Sequence, residues 1–338
     1  MKKTTILVTI LVVFAVILGA CSMPEEAAEA PAEEEVMEEE VMEEEAAEEA
    51  APAEAEKYDI AIVVKNFASS FWAQHVEGAE MAAADFDINL TSAAPEKPEN
   101  IEEQIAILED LITAGVDCIA LAPTNTEAIA AGIVKLNDAG IPVVYDNTMG
   151  SGGDYLTYVG IDNYAVGQQL GDYVAELMGE EGNLLLLEGV PGQSTSDLRS
   201  NGAEDALAAY PNITVSRVPA EWDAAKAYDI TTNELTKLGG ELNAIIAAGA
   251  GMSESAAEAV TAFGVSLDDI IIGSFDVTPA VVEAIENGSV DFTINQQPRM
   301  QAYFSIQACV DFLNGEDVPD NIPSPVAFVT LENLDEHK

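Results

Sequence analysis

The segment IEEQIAILEDLITAGVDCIALAP, residues 101–123, contains the repeating unit of the fold. Its first part places Ile101, Ile105 and Leu108 on one side of a helix, since apolar residues three or four positions apart share a helical face. Its second part, VDCIALAP (116–123), is a continuous apolar run, which is typical of a strand covered on both faces. The segment therefore predicts a helix followed by a buried strand of a parallel sheet.

The same alternation continues along the chain from residue 58. Helix-like patterns separate most of ten strand-like runs, which are YDIAIVVK (58–65), INLTSAA (88–94), VDCIALAP (116–123), IPVVYDN (141–147), YLTYVGID (155–162), NLLLLEG (183–189), ITVSRVP (213–219), LNAIIAAG (242–249), DIIIGSFD (269–276) and VDFTINQ (290–296). Strand and helix pairs that repeat every 25 to 35 residues or so match βαβ units. We predict an α/β protein with about ten strands in two similar lobes, since a chain of this length exceeds one core.

The composition excludes several classes of function. The chain has 12 Lys and Arg residues against 61 Asp and Glu residues, a net charge of −49. Such a charge repels phosphate backbones, so we exclude a nucleic-acid partner. Only two histidines occur, His75 and His337. Histidine metal sites and Ser-His or Cys-His catalysis therefore lack their components, and we expect no metal and no cofactor.

The N-terminus has the pattern of a secretory signal. Two lysines precede an apolar run from Ile6 to Ala20, and Cys21 follows it. An uncleaved membrane anchor is the alternative, but fifteen helical residues span about 22 Å of a hydrocarbon core of about 30 Å. The sequence Leu18-Gly19-Ala20-Cys21 resembles the bacterial lipobox, which implies lipidation at Cys21. We expect a signal peptide over residues 1–20 and a protein tethered outside the cytoplasm.

A glutamate-rich segment follows the signal. Residues 22–56 contain 16 Glu and no Lys or Arg. Blocks of uncompensated Glu repel one another and bury little apolar surface, so residues 21–56 are predicted to be a disordered linker. The other two cysteines, Cys118 and Cys309, lie in a strand-like and a helix-like run. We interpret them as two buried thiols rather than a disulfide between such regular elements.

Candidate site residues follow the apolar runs, because ligands of open α/β sheets bind beyond the carboxyl ends of the strands. These positions are Lys65 to Trp72, Pro123 to Asn125, Asp146-Asn147, Gly189 to Asp197, Glu221-Trp222, Ala248 to Gly251, Asp276 and Asn295 to Gln297. Carboxylates and amides bind hydroxyl groups, and flat aromatic rings pack on the C–H faces of a sugar. The set predicts a site for a neutral, polyhydroxylated molecule.

An enzyme is the competing class. Asp146, Asp197 and Asp276 are carboxylates, and a pair of these is the catalytic equipment of a glycoside hydrolase when they lie about 5 to 9.5 Å apart. No GxxxxGK phosphate loop occurs, and Gly249-Ala250-Gly251 is too short for a dinucleotide motif. A carboxylate-based glycoside hydrolase stays as the alternative enzyme hypothesis.

Seven segments in order resemble the periplasmic sugar-binding proteins of ABC importers, in the type I group of ribose- and allose-binding proteins. They are AIVVKNFASSFWAQHVEGAEMAA, GVDCIALAPTNTEAI, AGIPVVYDN, VGIDNYAVGQQLGDYV, EWDAAKAYD, IIIGSFDVTPAVVEAI and FTINQQP. The resemblance implies two Rossmann-like lobes joined by three crossover strands and closing on ligand. It implies a non-enzymatic receptor that delivers a sugar or polyol to an ABC permease and its ATPase. Nothing in the sequence requires more than a monomer, so we expect a monomer.

The resemblance also implies domain boundaries and a ligand site. The first lobe would comprise residues 57–161 and 297–321, and the second lobe residues 162–296 and 322–331. Asp146 and Asp276 would bind hydroxyls, Trp222 would stack on the ligand, and Gln296 would lie at the hinge. The implied ligand-binding residues are Lys65, Ser69, Phe71, Trp72, Asp146, Asn147, Asp197, Trp222, Gly249, Ala250, Asp276 and Gln296.

Some positions depart from the ribose-type pattern. Asn147 and Asp197 stand where ribose-type members carry Arg, and Gly249 replaces the usual Asn. Lys65, Asp146, Asp197 and Ala250 also resemble the autoinducer-2 receptor subgroup, but Leu198 and Ala248 differ from it. A furanosyl signal molecule is therefore the narrower alternative ligand. A chemoreceptor is a further possible partner.

Overall fold

The computed structural model describes residues 57–338, and the signal peptide, Cys21 and the linker lie outside these described residues. Twelve strands and nine α-helices are formed in this part of the chain. The strands are β1 Asp59–Val63, β2 Asn89–Ala93, β3 Cys118–Leu121, β4 Val143–Asp146, β5 Thr157–Gly160, β6 Glu181–Glu188, β7 Asn212–Pro219, β8 Ala244–Ala247, β9 Ile271–Phe275, β10 Phe292–Asn295, β11 Asn321–Pro323 and β12 Ala327–Thr330.

The helices follow the strands in the alternation that the sequence predicts. They are α1 Ser70–Phe86, α2 Ile101–Ala114, α3 Ala130–Asp138, α4 Asn163–Leu177, α5 Ser194–Leu207, α6 Ala224–Leu238, α7 Ala250–Phe263, α8 Pro279–Glu286 and α9 Pro298–Leu313. Two short 3₁₀ helices cover Leu267–Asp269 and Leu334–Glu336. Helix α2 shows why the bounds fall where they do: the Asn100 side chain accepts hydrogen bonds from two backbone amides of the first turn, and Gly115 ends the helix at φ 77°.

Two six-stranded sheets organise the molecule. The first has the order β11-β5-β4-β3-β1-β2, and the second has the order β12-β10-β9-β8-β6-β7. All neighbouring pairs are parallel except β10 and β12, which are antiparallel. We call the first sheet with helices α1–α3 and α9 the first lobe, and the second sheet with helices α4–α8 the second lobe. The predicted α/β fold, with two lobes built on parallel sheets, is confirmed.

Each sheet is buried on both faces, as continuous apolar strands require. In β1, Ala61 and Val63 pack toward helices α2 and α3, whereas Ile60 and Ile62 pack toward α1 and α9. The chain passes between the sheets three times, after β5, after β10 and after β11. Helix α9 therefore returns to the first lobe, where it packs on α1. Among residues 57–338, no helix is long and apolar enough to cross a bilayer.

Two strands were not predicted, so the expected ten become twelve. Strand β11 pairs with β5 over only three residues, and β12 pairs antiparallel with β10. Both are short edge strands at the end of the chain, where only the partner strand supplies the pairing and the apolar pattern is weak.

The prediction that Cys118 and Cys309 are separate buried thiols is wrong, because a disulfide joins them. Cys118 lies at the start of β3, and Cys309 lies on the side of α9 that packs against the sheet. Their Cα atoms are 5.8 Å apart, within the range that a disulfide spans. The two residues are 191 positions apart, so this proximity arises only when α9 returns to the first lobe.

Candidate ligand-binding site

A cavity of about 520 Å³ lies between the two lobes, at the carboxyl ends of their strands. Both lobes contribute to its wall. The first lobe provides Lys65, Asn66, Ala68, Ser69, Ser70, Phe71, Trp72, Pro98, Glu99 and Asn147. The second lobe and the crossover after β10 provide Thr195, Arg199, Glu221, Trp222, Asp223, Ala248, Gly249, Ala250, Gly251, Met252, Asp276, Thr278 and Gln296.

Ten of the residues expected at the site line this cavity. They are Lys65, Ser69, Phe71, Trp72, Asn147, Trp222, Gly249, Ala250, Asp276 and Gln296. Asp146 and Asp197 are not part of the wall. Three charged residues of the wall, Glu99, Arg199 and Asp223, were not expected there.

The first-lobe wall is built on the N-terminus of α1. Ser69 caps this helix, and its hydroxyl accepts a hydrogen bond from the backbone amide of Phe71 at 3.3 Å. The cap fixes the first turn, so the rings of Phe71 and Trp72 meet edge to face with centroids 4.9 Å apart. Lys65 lies beside them with its ammonium 5.7 Å from the Trp72 ring centroid. Burial lowers the pKa of Lys65 to about 8.

The second-lobe wall depends on Trp222 and on the glycines beneath its ring. A Cβ atom at Gly189 would lie 1.9 Å from the indole, and one at Gly249 would lie 3.3 Å from it. The indole therefore needs the open space that these glycines leave, which explains Gly249 at a position expected to form the floor. The indole Nε1 donates to Gln193 Oε1 at 2.9 Å, which fixes the ring orientation.

Backbone strain is concentrated at this cavity. Eight non-glycine residues have a positive φ in the described chain, and five of these line the cavity: Glu99, Asn147, Glu221, Trp222 and Asp276. A left-handed conformation costs free energy for such residues, so it persists where the surrounding structure holds it for a purpose. The distribution of strain marks the cavity as a functional site.

Arg199 is the main residue that the sequence prediction missed. Its guanidinium is buried, stacks 3.5 Å from the Phe275 ring centroid and donates to Ala248 O at 2.6 Å and to Asn163 Oδ1 at 2.8 Å. Burial lowers its pKa to about 10, so it is a cation at neutral pH. The missed signal is its spacing from Thr195, because residues four positions apart on α5 share a face.

Asp197 lies two residues before Arg199, on a different face of the same helix. Its carboxylate accepts hydrogen bonds from the backbone amide of Gly192, with both oxygens 3.1 Å from that nitrogen. The residue therefore closes the loop that precedes α5. This position corrects the expectation that Asp197 binds the ligand.

Asp276 follows β9 with φ 74° and turns its side chain toward the cavity. Its carboxylate accepts a hydrogen bond from Gln296 Nε2 at 2.6 Å. Burial raises the pKa of Asp276 to about 6, and the charge of Arg199 opposes this rise. At neutral pH it is a buried anion, which is a strong acceptor for ligand hydroxyl groups.

Asp146 is the second correction. It is the last residue of β4 and is completely buried on the side of α9, where its Oδ1 accepts a hydrogen bond from Ser305 at 3.1 Å. The next residue, Asn147, faces the cavity instead, because successive residues at a strand end point to opposite sides. Asn147 Nδ2 donates to Gln296 at 3.1 Å and to Gln301 at 2.9 Å.

Asp146 forms a buried pair with His75. His75 Nε2 lies 3.6 Å from Asp146 Oδ2, and neither atom has a hydrogen-bond partner within residues 57–338. His75 Nδ1 is 3.4 Å from the Phe71 carbonyl oxygen, which it reaches as a donor, so Nε2 is left as an acceptor. Burial lowers the pKa of His75 to about 3 and raises the pKa of Asp146 to about 7. Above that pH two acceptors face each other.

We expect Asp146→Asn to stabilise the protein at pH 8. The folded-state pKa of Asp146 exceeds the ordinary value of 3.8, so its favourable contribution is complete below about pH 4 and is lost as the pH rises through about 7. Asparagine does not titrate, and its amide can donate to His75. The gain in unfolding free energy should be on the order of 2 to 4 kcal/mol at pH 8 and should shrink at pH 5.

Urea unfolding of the variant and the wild type at pH 5 and pH 8 measures this difference. Asp197→Asn is the matched control, because it removes a carboxylate outside the buried pair. A variant that loses stability equally at both pH values would contradict the assignment of the pair.

Comparisons with known proteins agree with this geometry. The family model described as "Periplasmic binding protein domain" matches residues 60–317. The ribose import binding protein RbsB of Haemophilus influenzae is 28% identical over 271 residues, which cover 80% of this chain and 91% of that protein. The D-allose-binding periplasmic protein of Escherichia coli is 28% identical over 249 residues, which cover 71% of this chain and 79% of that protein.

Solved structures with the same fold carry small polyhydroxylated ligands. An ABC transporter periplasmic solute binding protein from Actinobacillus succinogenes, with bound D-allose, has a TM-score of 0.77 and 28% identity and covers 83% of this chain and 100% of that one. An ABC transporter solute binding protein from Bacillus halodurans, with bound myo-inositol, has a TM-score of 0.77 and 28% identity and covers 84% of this chain and 98% of that one.

These relatives are binding proteins of transporters and not enzymes, in agreement with the expectation of a receptor. The glycoside-hydrolase alternative also loses its residues, since Asp146 and Asp197 lie outside the cavity. The extent of the family match, with the two crossover-linked lobes and the cavity between them, leads to one conclusion. The chain belongs to the periplasmic binding protein family and is a member of its type I, sugar-binding group.

Proposed function

We propose that this protein captures a neutral sugar or polyol between its lobes and delivers it to an ABC permease. The observation that carries the proposal is the composition of the cavity wall. Aromatic rings come from both lobes, Phe71 and Trp72 on one side and Trp222 on the other, and buried polar groups lie between them. Rings on opposite sides suit the two C–H faces of a sugar ring, and the polar groups suit its hydroxyls.

The charges of the wall favour an uncharged ligand. Two buried cations, Lys65 and Arg199, are accompanied by the buried Asp276 and the partly buried Glu99. Burial raises the pKa of Glu99, and the charge of Lys65 opposes this rise. An anionic ligand would meet four carboxylates of the wall, those of Glu99, Glu221, Asp223 and Asp276, against only two cations. This arrangement costs free energy in a buried site. A neutral ligand can donate hydrogen bonds to the carboxylates of the wall and accept hydrogen bonds from Lys65 and Arg199.

The volume and the enclosure support a ligand of one sugar ring. A cavity of about 520 Å³ lies within the range of small-molecule sites, about 300 to 1,000 Å³. A guest that contacts both lobes stabilises the closed arrangement by the contacts that the open arrangement lacks. We infer that this closed form is the one that the permease and its ATPase receive.

The ligand-binding residues that we propose are those of the wall, with Arg199 and Asp276 as the main hydroxyl partners and Trp222 as the stacking ring. The autoinducer-2 alternative is weakened, since two of its four matching residues, Asp146 and Asp197, lie outside the cavity. We further propose, from the sequence alone, a signal peptide over residues 1–20, a lipid anchor at Cys21 and a linker to residue 56. This anchor would hold a monomeric receptor to a bacterial membrane, outside the cytoplasm.

A thermal-shift series tests the proposal. We expect at least one of D-ribose, D-allose and myo-inositol to raise the melting temperature, because a ligand that binds only the folded state stabilises it. Ribose 5-phosphate is the matched charged control and should give no rise. Mass spectrometry should recover the bound ligand unchanged. No shift with any neutral sugar or polyol, or conversion of the ligand to a product, would contradict the proposal.

A further inference from the structure

Gln193 lies outside the ligand cavity, yet its side chain is completely buried between the two lobes. It precedes α5, and its amide makes four hydrogen bonds. Its Oε1 accepts from Lys65 Nζ at 2.7 Å and from Trp222 Nε1 at 2.9 Å. Its Nε2 donates to the carbonyl oxygen of Thr124 at 2.8 Å and to the Glu99 carboxylate.

Three of these four bonds cross between the lobes. Gln193 and Trp222 belong to the second lobe, whereas Lys65, Glu99 and Thr124 belong to the first lobe. Separation of the lobes breaks the three crossing bonds, and two of those involve charged partners, which form the stronger hydrogen bonds. The fourth bond holds the Trp222 indole in its place on the cavity wall.

The neighbours of Gln193 extend this contact along the backbone. The Thr126 amide donates to Gly192 O at 3.0 Å, and the Ser194 amide donates to Thr126 Oγ1 at 2.9 Å. The Met149 amide donates to Ser194 Oγ at 2.9 Å. Gly192, Ser194, Thr126 and Met149 are all absent from the cavity wall. The segment 192–194 is therefore attached to the first lobe by groups that a ligand does not touch.

Glutamine fits this position by its chemistry. Lys65 and the Trp222 indole only donate hydrogen bonds, whereas a backbone carbonyl and a carboxylate only accept them. A primary amide supplies an acceptor oxygen and two donor hydrogens, so one side chain satisfies both pairs. Glutamate at this position would face Glu99, and an apolar residue would leave the Lys65 ammonium, the Trp222 indole and their two acceptor counterparts without this partner.

We propose that Gln193 is a positioning residue, the centre of an interlobe latch over residues 192–194 that holds the lobes closed independently of ligand and orients Trp222 and Lys65. This inference rests on the proposed function only for its effect on affinity. The latch sets the open-to-closed equilibrium before a ligand arrives. A receptor whose binding-competent form is more populated binds its ligand more tightly in the same proportion.

Hydrogen exchange of the ligand-free, full-length protein tests the latch directly. We expect Gln193→Ala to accelerate exchange of the Thr126 and Met149 amides about 10- to 100-fold, because both amides become accessible when the lobes separate. The Trp222 indole ¹H–¹⁵N resonance, one of only two in the chain, should shift as its acceptor is lost. Asn137→Ala is the control, since the Asn137 amide also donates to and accepts from backbone groups, and both of these groups belong to Asp154 inside the first lobe.

Titration with D-ribose, D-allose and myo-inositol measures the effect of the latch on affinity. The dissociation constant of Gln193→Ala should exceed that of the wild type about 10- to 100-fold, the same factor by which hydrogen exchange accelerates. Unchanged exchange of both amides in Gln193→Ala, or an equal acceleration in Asn137→Ala, would overturn the latch. If the wild type binds none of the three compounds, the proposed function fails while the exchange result still decides the latch. Should Gln193→Ala not fold, Ser194→Ala must accelerate exchange of the Thr126 amide, whose own acceptor, Gly192 O, this substitution leaves in place, and no acceleration there rejects the proposal.

Discussion

Replacement of both Cys118 and Cys309 by alanine is expected to lower the free energy of unfolding by up to about 5 kcal/mol. The disulfide closes a loop with a sequence separation of 191 residues, and the entropy that such a loop removes from the unfolded chain increases with its length. Both residues are fully buried in the first lobe, where alanine fits with little loss of packing. Urea unfolding of the double variant and the wild type measures the difference.

Peptide mapping without reduction provides the control, because it identifies a peptide that joins the two cysteines and distinguishes it from any pairing with Cys21. The single variant Cys118→Ala should lose nearly as much stability as the double variant, since either change opens the loop. Equal unfolding midpoints of the wild type with and without reductant, measured after full unfolding and refolding, would show that the bridge does not stabilise the protein.

The error over these cysteines shows one limit of prediction from sequence. Each cysteine lies in a regular element, and the local pattern of VDCIALAP or of the α9 segment says nothing about the other. Their proximity depends on the crossover after β10, which brings α9 back beneath β3. Alternation of helices and strands predicts the number of layers, but it does not predict which distant elements face each other.

Residues of the cavity wall can be predicted from sequence where the end of a strand alone decides their position. Lys65, Trp222 and Asp276 follow apolar runs, and all three line the cavity because the carboxyl ends of parallel strands share one edge. The wrong site predictions concern residues that lie on the side of their strand or helix facing away from the cavity. Asp146 and Asn147 differ by one residue at the end of β4 and point to opposite sides.

A second error of this kind lies on α5. Asp197 was predicted to bind the ligand, but Arg199 lines the cavity wall instead. Residues two positions apart on a helix are about 200° apart around its axis, so only one of them can face the cavity. The spacing of Thr195 and Arg199 identifies the correct face once the start of the helix is known. Gln193 lies in the stretch Gly189 to Asp197 that was expected near the site, but no role could be assigned to it, because its contacts exist only when both lobes are together.

Arg199 and Asp276 are best understood as one electrostatic unit of the second lobe. Both are buried, and the charge of each favours the ionised form of the other. The arginine is held by Asn163 and by the Ala248 carbonyl, while the aspartate is held by Gln296. These contacts orient both groups before a ligand enters, so binding requires little reorganisation.

We therefore expect Arg199→Met to weaken sugar binding by at least about 100-fold, which corresponds to roughly 3 kcal/mol. Methionine approximates the length of the side chain, but it removes the charge and leaves Asn163 and the Ala248 carbonyl without their donor. Loss of the Arg199 cation also removes the charge that favours the ionised form of the buried Asp276. Isothermal titration with the compound that gives the largest thermal shift measures the change.

The same variant should change the pH dependence of binding, and this separates an electrostatic role from a general loss of packing. In the wild type the Asp276 carboxylate has a pKa of about 6, and Arg199 keeps it from rising further. Without that cation the pKa rises, so the pH below which affinity declines should move upward. Asp276→Asn should remove this pH dependence.

Arg217→Met is the matched control, because Arg217 pairs with Glu188 and Glu204 away from the cavity. This variant should leave the affinity and its pH profile unchanged. An Arg199→Met variant with wild-type affinity across pH 5 to 9 would remove Arg199 from the binding site.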